Sequence, residues 1–375
     1  MHLWKLVAAR MVFPGPNAGH FVEKEFHGLA SAFLEPIRPM PSSTSNPEIV
    51  EPGSQSASRA LSRGSMSAKG GIIALLAGIV LIFLGLEVSS PLILARLSHT
   101  EQRIAVEMQA AKYLRPFSPD GRPTVLLAGN SLLLEGVQMD KLQEQTPQYA
   151  VSRLAVEQTH YLDWYFGLRR LLEEGSKPSV IVLSLATDQL ASRFTLGEAF
   201  ARRQMSTSDF PQVVRETHLD RTTATTYLFA HWSRWQADKG FIRQCVMILA
   251  IPNFRDLAAH IADHGPHVND PAVLLGAAQQ RLPELAELLH QYGVQIILLV
   301  PPTLRKDHSQ EIQQIGGQAG VPVWVLSPPG DFPPNYFADG FHLNAVGSGI
   351  FTARLSQQLR TLQVPLQPLL HRDAQ

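Results

Sequence analysis

The sequence predicts an α/β fold, a mainly parallel sheet with helices on both faces, preceded by one transmembrane helix. Three observations carry this. Short apolar runs at 124–128, 149–155, 179–185, 294–300 and 321–326 alternate with stretches of helical periodicity. Strands alternating with helices close into a parallel sheet covered on both sides. A separate uncharged run, Gly70 to Leu86, precedes all of them. The chain has 375 residues, 45% hydrophobic and 17% charged, enough for one large or two modest domains with an extra apolar element.

Composition also excludes. Lys+Arg and Asp+Glu balance at 32 each, so no global charge points to nucleic acid. The single cysteine, Cys245, cannot form an internal disulfide or a Cys-rich metal site, and its context, FIRQCVMILA, predicts a buried small hydrophobe. Gly70-Gly71 and Gly316-Gly317 lack phosphate-cradle spacing. No cofactor is expected.

Residues 1–65 are expected to be disordered or a mis-assigned extension. RPMPSSTSNPEIVEPGSQSASRA, 38–60, has too little apolar area to offset its ordering entropy, and Met66 opens MSAKGG just before the apolar run. Residues 70–95 are expected to form the transmembrane helix. Gly70 to Leu86 alone would reach about 26 Å, near the ~30 Å hydrocarbon core. A buried core helix would carry a polar face, which this run lacks. A cleaved signal peptide is the other alternative, with EVSSP as a weak cleavage site. Arg59, Arg63 and Lys69 precede the span, against Arg96 and Arg103 after it. The positive-inside rule then places the carboxyl-terminal domain on the exported side of a single-pass membrane protein.

Residues 96–120 form a polar connector, and the domain runs over 121–365. Thr124 to Ala128 is a strand, followed by a turn at Gly129-Asn130-Ser131 and a helix. A helix from about Thr159 to Glu174 stops at Gly175; another, Pro271 to Tyr292, stops at Gly293. Residues 208–263 read as a helical insertion, with Trp232 and Trp235 packing its helices or contacting carbohydrate. Helices follow at 309–317 and 345–362.

Ser131 ends a buried strand and begins a helix, where α/β sheets collect ligands. Two readings fit: a nucleophile beside a helix amino terminus, or a helix N-cap. The second informative stretch is Asn335 to Gly347, NYFADGFHLNAVG. Asp339, three residues before His342, can hold its imidazole in the proton-accepting tautomer, or the two form only a local turn network. Asn344 is a candidate N-cap for the last helix, and Gly347 permits close packing. His160 with Asp163, and His260, His264 and His267, have ligand-like spacing, but the first two are expected to be a solvated or core-edge pair and the last three to sit at a polar helix end near Gly265-Pro266, and no metal site is assigned.

Together, GNS after the first strand and DGFH before the last helix resemble the SGNH, or GDSL, hydrolase family over Thr124 to about Leu362. The resemblance implies a three-layer α/β/α, flavodoxin-like fold. It implies Ser131 as nucleophile, His342 as general base and then acid, and Asp339 as its orienter. The sequence departs from the family pattern in the middle blocks. Asn130 replaces an Asp, Ser152 to Ala155 offer no second-block Gly, and Leu185-Ala186-Thr187-Asp188 stands where GxND is expected. The oxyanion and substrate contacts would then fall to Asn130, Leu132 and Thr187. The resemblance implies a membrane-anchored esterase acting on an acylated carbohydrate or lipid ester, such as O-acyl groups of a cell-envelope glycan. An O-acyltransferase, or a degenerate scaffold in an envelope assembly machine, are the alternatives. Protein partners are not specified.

Overall fold

A computed structural model describes residues 68–252, 270–304 and 307–362. Residues 1–65, the end of the 208–263 stretch, and His260, His264 and His267 lie outside these. The described chain forms α1 (Ala68–Leu97), α2 (His99–Lys112), β1 (Thr124–Gly129), α3 (Ser131–Gly136), α4 (Met139–Gln145) and β2 (Ala150–Ala155). It continues with α5 (Tyr161–Glu173), β3 (Val180–Ser184), α6 (Thr187–Ala191), α7 (Gly197–Arg203), α8 (Phe210–Thr217), α9 (Arg221–Trp232) and α10 (Arg234–Ala250). Last come α11 (Pro271–Gln291), β4 (Gln295–Val300), α12 (Ser309–Gln318), β5 (Val323–Val325) and α13 (Ala345–Arg360).

The five strands pair in parallel, in the order β2-β1-β3-β4-β5. Side chains alternate across a strand, so each run feeds two cores. Leu126, Ala128, Ile181, Leu183, Ile296 and Leu298 pack with α2, α5 and α11 on one face. Val125, Leu127, Val180, Val182, Ile297 and Leu299 pack with Leu133, Leu142, Phe351 and Leu355 of α3, α4 and α13 on the other. This is the three-layer α/β/α arrangement. It explains why β1 and β3 lack polar alternation: both faces are covered, and every residue of these strands is buried.

The polar stretch 98–114 does more than connect. Helix α2 starts at Ser98, whose Oγ accepts from the Glu101 N–H at 3.1 Å, and lies along the outer edge of β2. Glu107 accepts from the Ala155 N–H at 2.8 Å and pairs with Arg153 at 2.7 Å; Arg103 donates to the Ala155 carbonyl at 2.7 Å. These charges satisfy backbone groups that would otherwise be open to pairing with another chain.

Among the described residues, Lys69–Leu94 of α1 is the one segment long and apolar enough to cross a membrane, and none of its apolar window is buried. It is therefore not a core helix of the sheet layers. Two expectations are corrected on the neighbouring helices. Cys245 on α10 is half-buried, not enclosed. Trp232 does not pack the helices together; it is 61% exposed.

The last helix is held close by a missing side chain. A Cβ on Gly347 would lie 2.5 Å from the Tyr336 carbonyl oxygen, and backbone cannot give way like a flexible side chain. Gly347→Ala is expected to destabilise the protein by about 1–3 kcal/mol, read as a lower denaturation midpoint; an unchanged midpoint would show that the Tyr336 turn yields freely.

Candidate active site

The chain runs from β1 outward to β2, then returns across β1 to β3, so the direction switches between β1 and β3. Ligands gather at the carboxyl ends of strands at such a switch point. Ser131 stands there, directly after β1. Its approach depends on Gly129, where a Cβ would meet the Ser184 carbonyl of β3 at 2.8 Å.

The cap of α3 is Asn130, not Ser131. The Asn130 Oδ1 accepts from the Leu132 N–H at 3.0 Å, and its Nδ2 donates to the Thr159 carbonyl at 3.0 Å. With the cap supplied by its neighbour, Ser131 occupies the first helical position and its hydroxyl faces the hairpin before α13. That hairpin closes with an antiparallel bridge between Phe337 and Leu343, turning at Gly340, whose φ of +80° suits glycine. The Ala338 N–H donates to the His342 carbonyl at 2.8 Å, and the Asn344 N–H to the Tyr336 carbonyl at 2.9 Å. Asn344 caps α13 by accepting from the N–H groups of Val346 and Gly347, both at 3.0 Å.

The hairpin sets His342 Nε2 3.0 Å from Ser131 Oγ and His342 Nδ1 2.7 Å from Asp339 Oδ2. A carboxylate only accepts, so Nδ1 carries the proton and Nε2 is left to accept from the serine O–H. The other Asp339 oxygen accepts from the Phe341 and His342 N–H groups at 3.0 and 2.7 Å. Partial burial pushes the Asp339 carboxyl up, but the bonds from the His342 ring and these two N–H groups outweigh it. Its pKa is held well below the usual carboxylate range. The result is one chain, Ser131 to His342 to Asp339, joining residues 211 positions apart. Such a chain can move a proton from a hydroxyl to an imidazole.

The other expected contacts are placed differently. The Leu132 N–H is taken by Asn130 Oδ1, while Asn130 Nδ2 gives one of its two N–H groups to the Thr159 carbonyl. Thr187 is buried at the first position of α6, three residues after Ser184, the β3 residue paired with Gly129. Asp163 is fully buried and accepts from the N–H groups of His160 and Leu196, both at 2.8 Å. Burial pushes its carboxyl up to about 7 against the pull of those N–H groups. It caps α5 and holds the chain after α6.

Sequence reading missed the turn after β2. Thr159 receives Asn130, its Oγ1 donates to the Val156 carbonyl at 2.6 Å, and it accepts from Trp164 Nε1 at 2.9 Å. Gln158 just before it is left-handed, with φ +61°. No glycine marks this turn, so its conformation had no sequence signal.

No protein-family profile matches the chain, and no curated protein matches it. Similar solved structures include an alpha/beta hydrolase enzyme from the metagenome of Lake Arreo, Spain, at 10% identity and a TM-score of 0.33. That match covers 68% of this chain and 99% of that one. A catalytic mutant of an acetylxylan esterase from Geobacillus stearothermophilus matches at 10% identity and a TM-score of 0.33, over 64% of this chain and 95% of its own. A mutant acetyl-xylooligosaccharide esterase from the same organism matches at 11% and 0.32, over 65% and 97%. At such identity the chemistry has to be read from this chain's own residues.

Proposed function

We propose that this chain is a membrane-anchored serine esterase of SGNH type, held by α1 with its α/β unit on the exported side. The observation that carries the reading is the Ser131–His342–Asp339 chain at the carboxyl end of β1. Ser131 Oγ attacks the ester carbonyl while its proton passes to His342 Nε2. The imidazolium, held by Asp339, returns that proton to the departing alkoxide, leaving an acyl-enzyme. A water or sugar hydroxyl then gives its proton to His342, attacks the acyl carbon, and Ser131 leaves with the proton regained. Charge on the carbonyl oxygen is met by the Ser131 N–H and by Thr187, a sparse set consistent with a modest rate. The substrate class is an O-acylated envelope glycan, a choice that rests on the family resemblance and the anchor.

The test is covalent. The detergent-solubilised full chain should react with a fluorophosphonate probe and hydrolyse a short-chain nitrophenyl ester, and Ser131→Ala should do neither. An unlabelled wild type, or equal labelling of Ser131→Ala, would overturn the assignment.

A further inference from the structure

We propose that the corner between α9 and α10 is a second membrane contact, seating its aromatic side chains in the outer part of the bilayer that α1 crosses. The inference rests on the reading of α1 as a span and goes beyond it. A single helix tethers; a second contact fixes how the α/β unit sits over the surface.

The corner is built onto the span itself. The rings of Phe83 in α1 and Phe229 in α9 stack with centroids 5.9 Å apart. Glu87 is the one charged residue between Gly70 and Ala95. It accepts from the Ser233 hydroxyl and, at 2.8 Å, from the Arg234 N–H, so the start of α10 neutralises it by hydrogen bonds and the helix dipole. Ser90 donates to Asp238 of α10 at 2.5 Å. These polar contacts mark the level at which α1 leaves hydrocarbon. Phe83 lies four residues before Glu87, about 6 Å deeper along the helix. Phe229, which stacks on it, is carried to that depth, within the ~5–10 Å that interfacial helices reach.

The exposed side chains suit that position. Phe229 and Trp232 are 45% and 61% exposed, although Phe229 already lies against an apolar helix. Trp at the boundary between an apolar body and polar groups is the residue pattern of membrane interfaces. Arg234, two residues on, is exposed, with its N–H on Glu87, within reach of lipid phosphate in this seating. The occupant is therefore lipid: the patch continues the surface of the span, and its aromatic-then-basic order follows the order of acyl chain and headgroup.

The test uses the full chain in phosphatidylethanolamine–phosphatidylglycerol vesicles, with Cys245→Ser as background and one new cysteine per variant carrying an environment-sensitive fluorophore. Leu81→Cys reports the span, Trp232→Cys and Phe229→Cys the corner. Lys177→Cys reports the far end of α2, since the Lys177 N–H donates to the Leu114 carbonyl. Labels at 232 and 229 should lose most of their fluorescence to a nitroxide held near the lipid headgroups, the label at 81 to a deep nitroxide, and the label at 177 to neither. Quenching at 81 with the corner labels responding only to aqueous iodide would leave the span standing and overturn the seating. Corner labels shielded from both quenchers would mean a protein cover, which also overturns it. No lipid quenching at 81 would remove the span reading, and the seating with it.

Discussion

Replacing His342 by alanine is expected to lower kcat for ester hydrolysis by about 10⁴-fold or more, and Asp339→Asn by about 10⁴-fold. The second change is the sharper one. Both N–H groups that Asp339 holds, from Phe341 and His342, reach the same oxygen, Oδ1, which asparagine retains. Only Oδ2 is replaced, and it faces His342 Nδ1. An amide NH₂ there donates, so Nδ1 must accept and the ring proton moves to Nε2, which can no longer take the Ser131 proton. The hairpin should persist while turnover falls, and a melting curve beside the kinetics separates the two. Stability should respond as well, in one direction. The folded Asp339 carboxyl is held below its unfolded value of about 4. Its contribution is thus fully present above that pH and is lost as pH falls through the folded value. Asp339→Asn should lack this acid-side loss. Unchanged kcat in Asp339→Asn would show that the carboxylate serves the hairpin and not the ring.

Much of this arrangement was legible because it follows from short-range rules. β1 and β3 are continuous apolar runs, since parallel central strands are covered twice. Gly175 and Gly293 end their helices at positive φ, and DGFHLN carries both the hairpin turn and the cap of α13. Other features depend on what lies opposite a residue, which spacing does not encode. Asn130 and Ser131 are adjacent and both cap well; Asn130 takes the role with its amide also held by the Thr159 carbonyl, 29 positions away, while the Ser131 hydroxyl meets His342. The bond to Thr159 engages a side chain expected to serve the substrate. α2 reads as a polar connector because its charges are spent on the edge of β2. The helices after 208 show apolar positions whose partner, for Phe229, is Phe83 of α1 and not the sheet. Periodicity reports that a face is apolar, not which surface covers it.

That dependence on an opposite group makes Asn130→Asp the most informative change after Asp339→Asn. Asp is what the resembled family carries at this position, and it is an equally good N-cap. Here it should fail. Asn130 is fully buried, and its two bonds are of opposite sense: Oδ1 accepts from the Leu132 N–H, while Nδ2 donates to the Thr159 carbonyl. An aspartate keeps the first bond and turns the second into two facing acceptors in a buried site. Leaving such a pair unsatisfied costs about 1–3 kcal/mol, and more where the group is charged. The remaining escape is protonation, which restores a donor toward Thr159 and raises the folded pKa of the new carboxyl. A raised folded pKa means that the variant's deficit is small below the unfolded value of about 4 and grows as pH rises through the folded one. Unfolding free energies of the variant, read from denaturation curves, should therefore approach wild type in acid and fall about 2–4 kcal/mol below it near neutrality. Esterase activity should fall with them, because Ser131 rides on the turn that this bond fixes. Equal stability at neutral pH would mean that the Thr159 carbonyl finds another donor, and that the asparagine is a cap and nothing more.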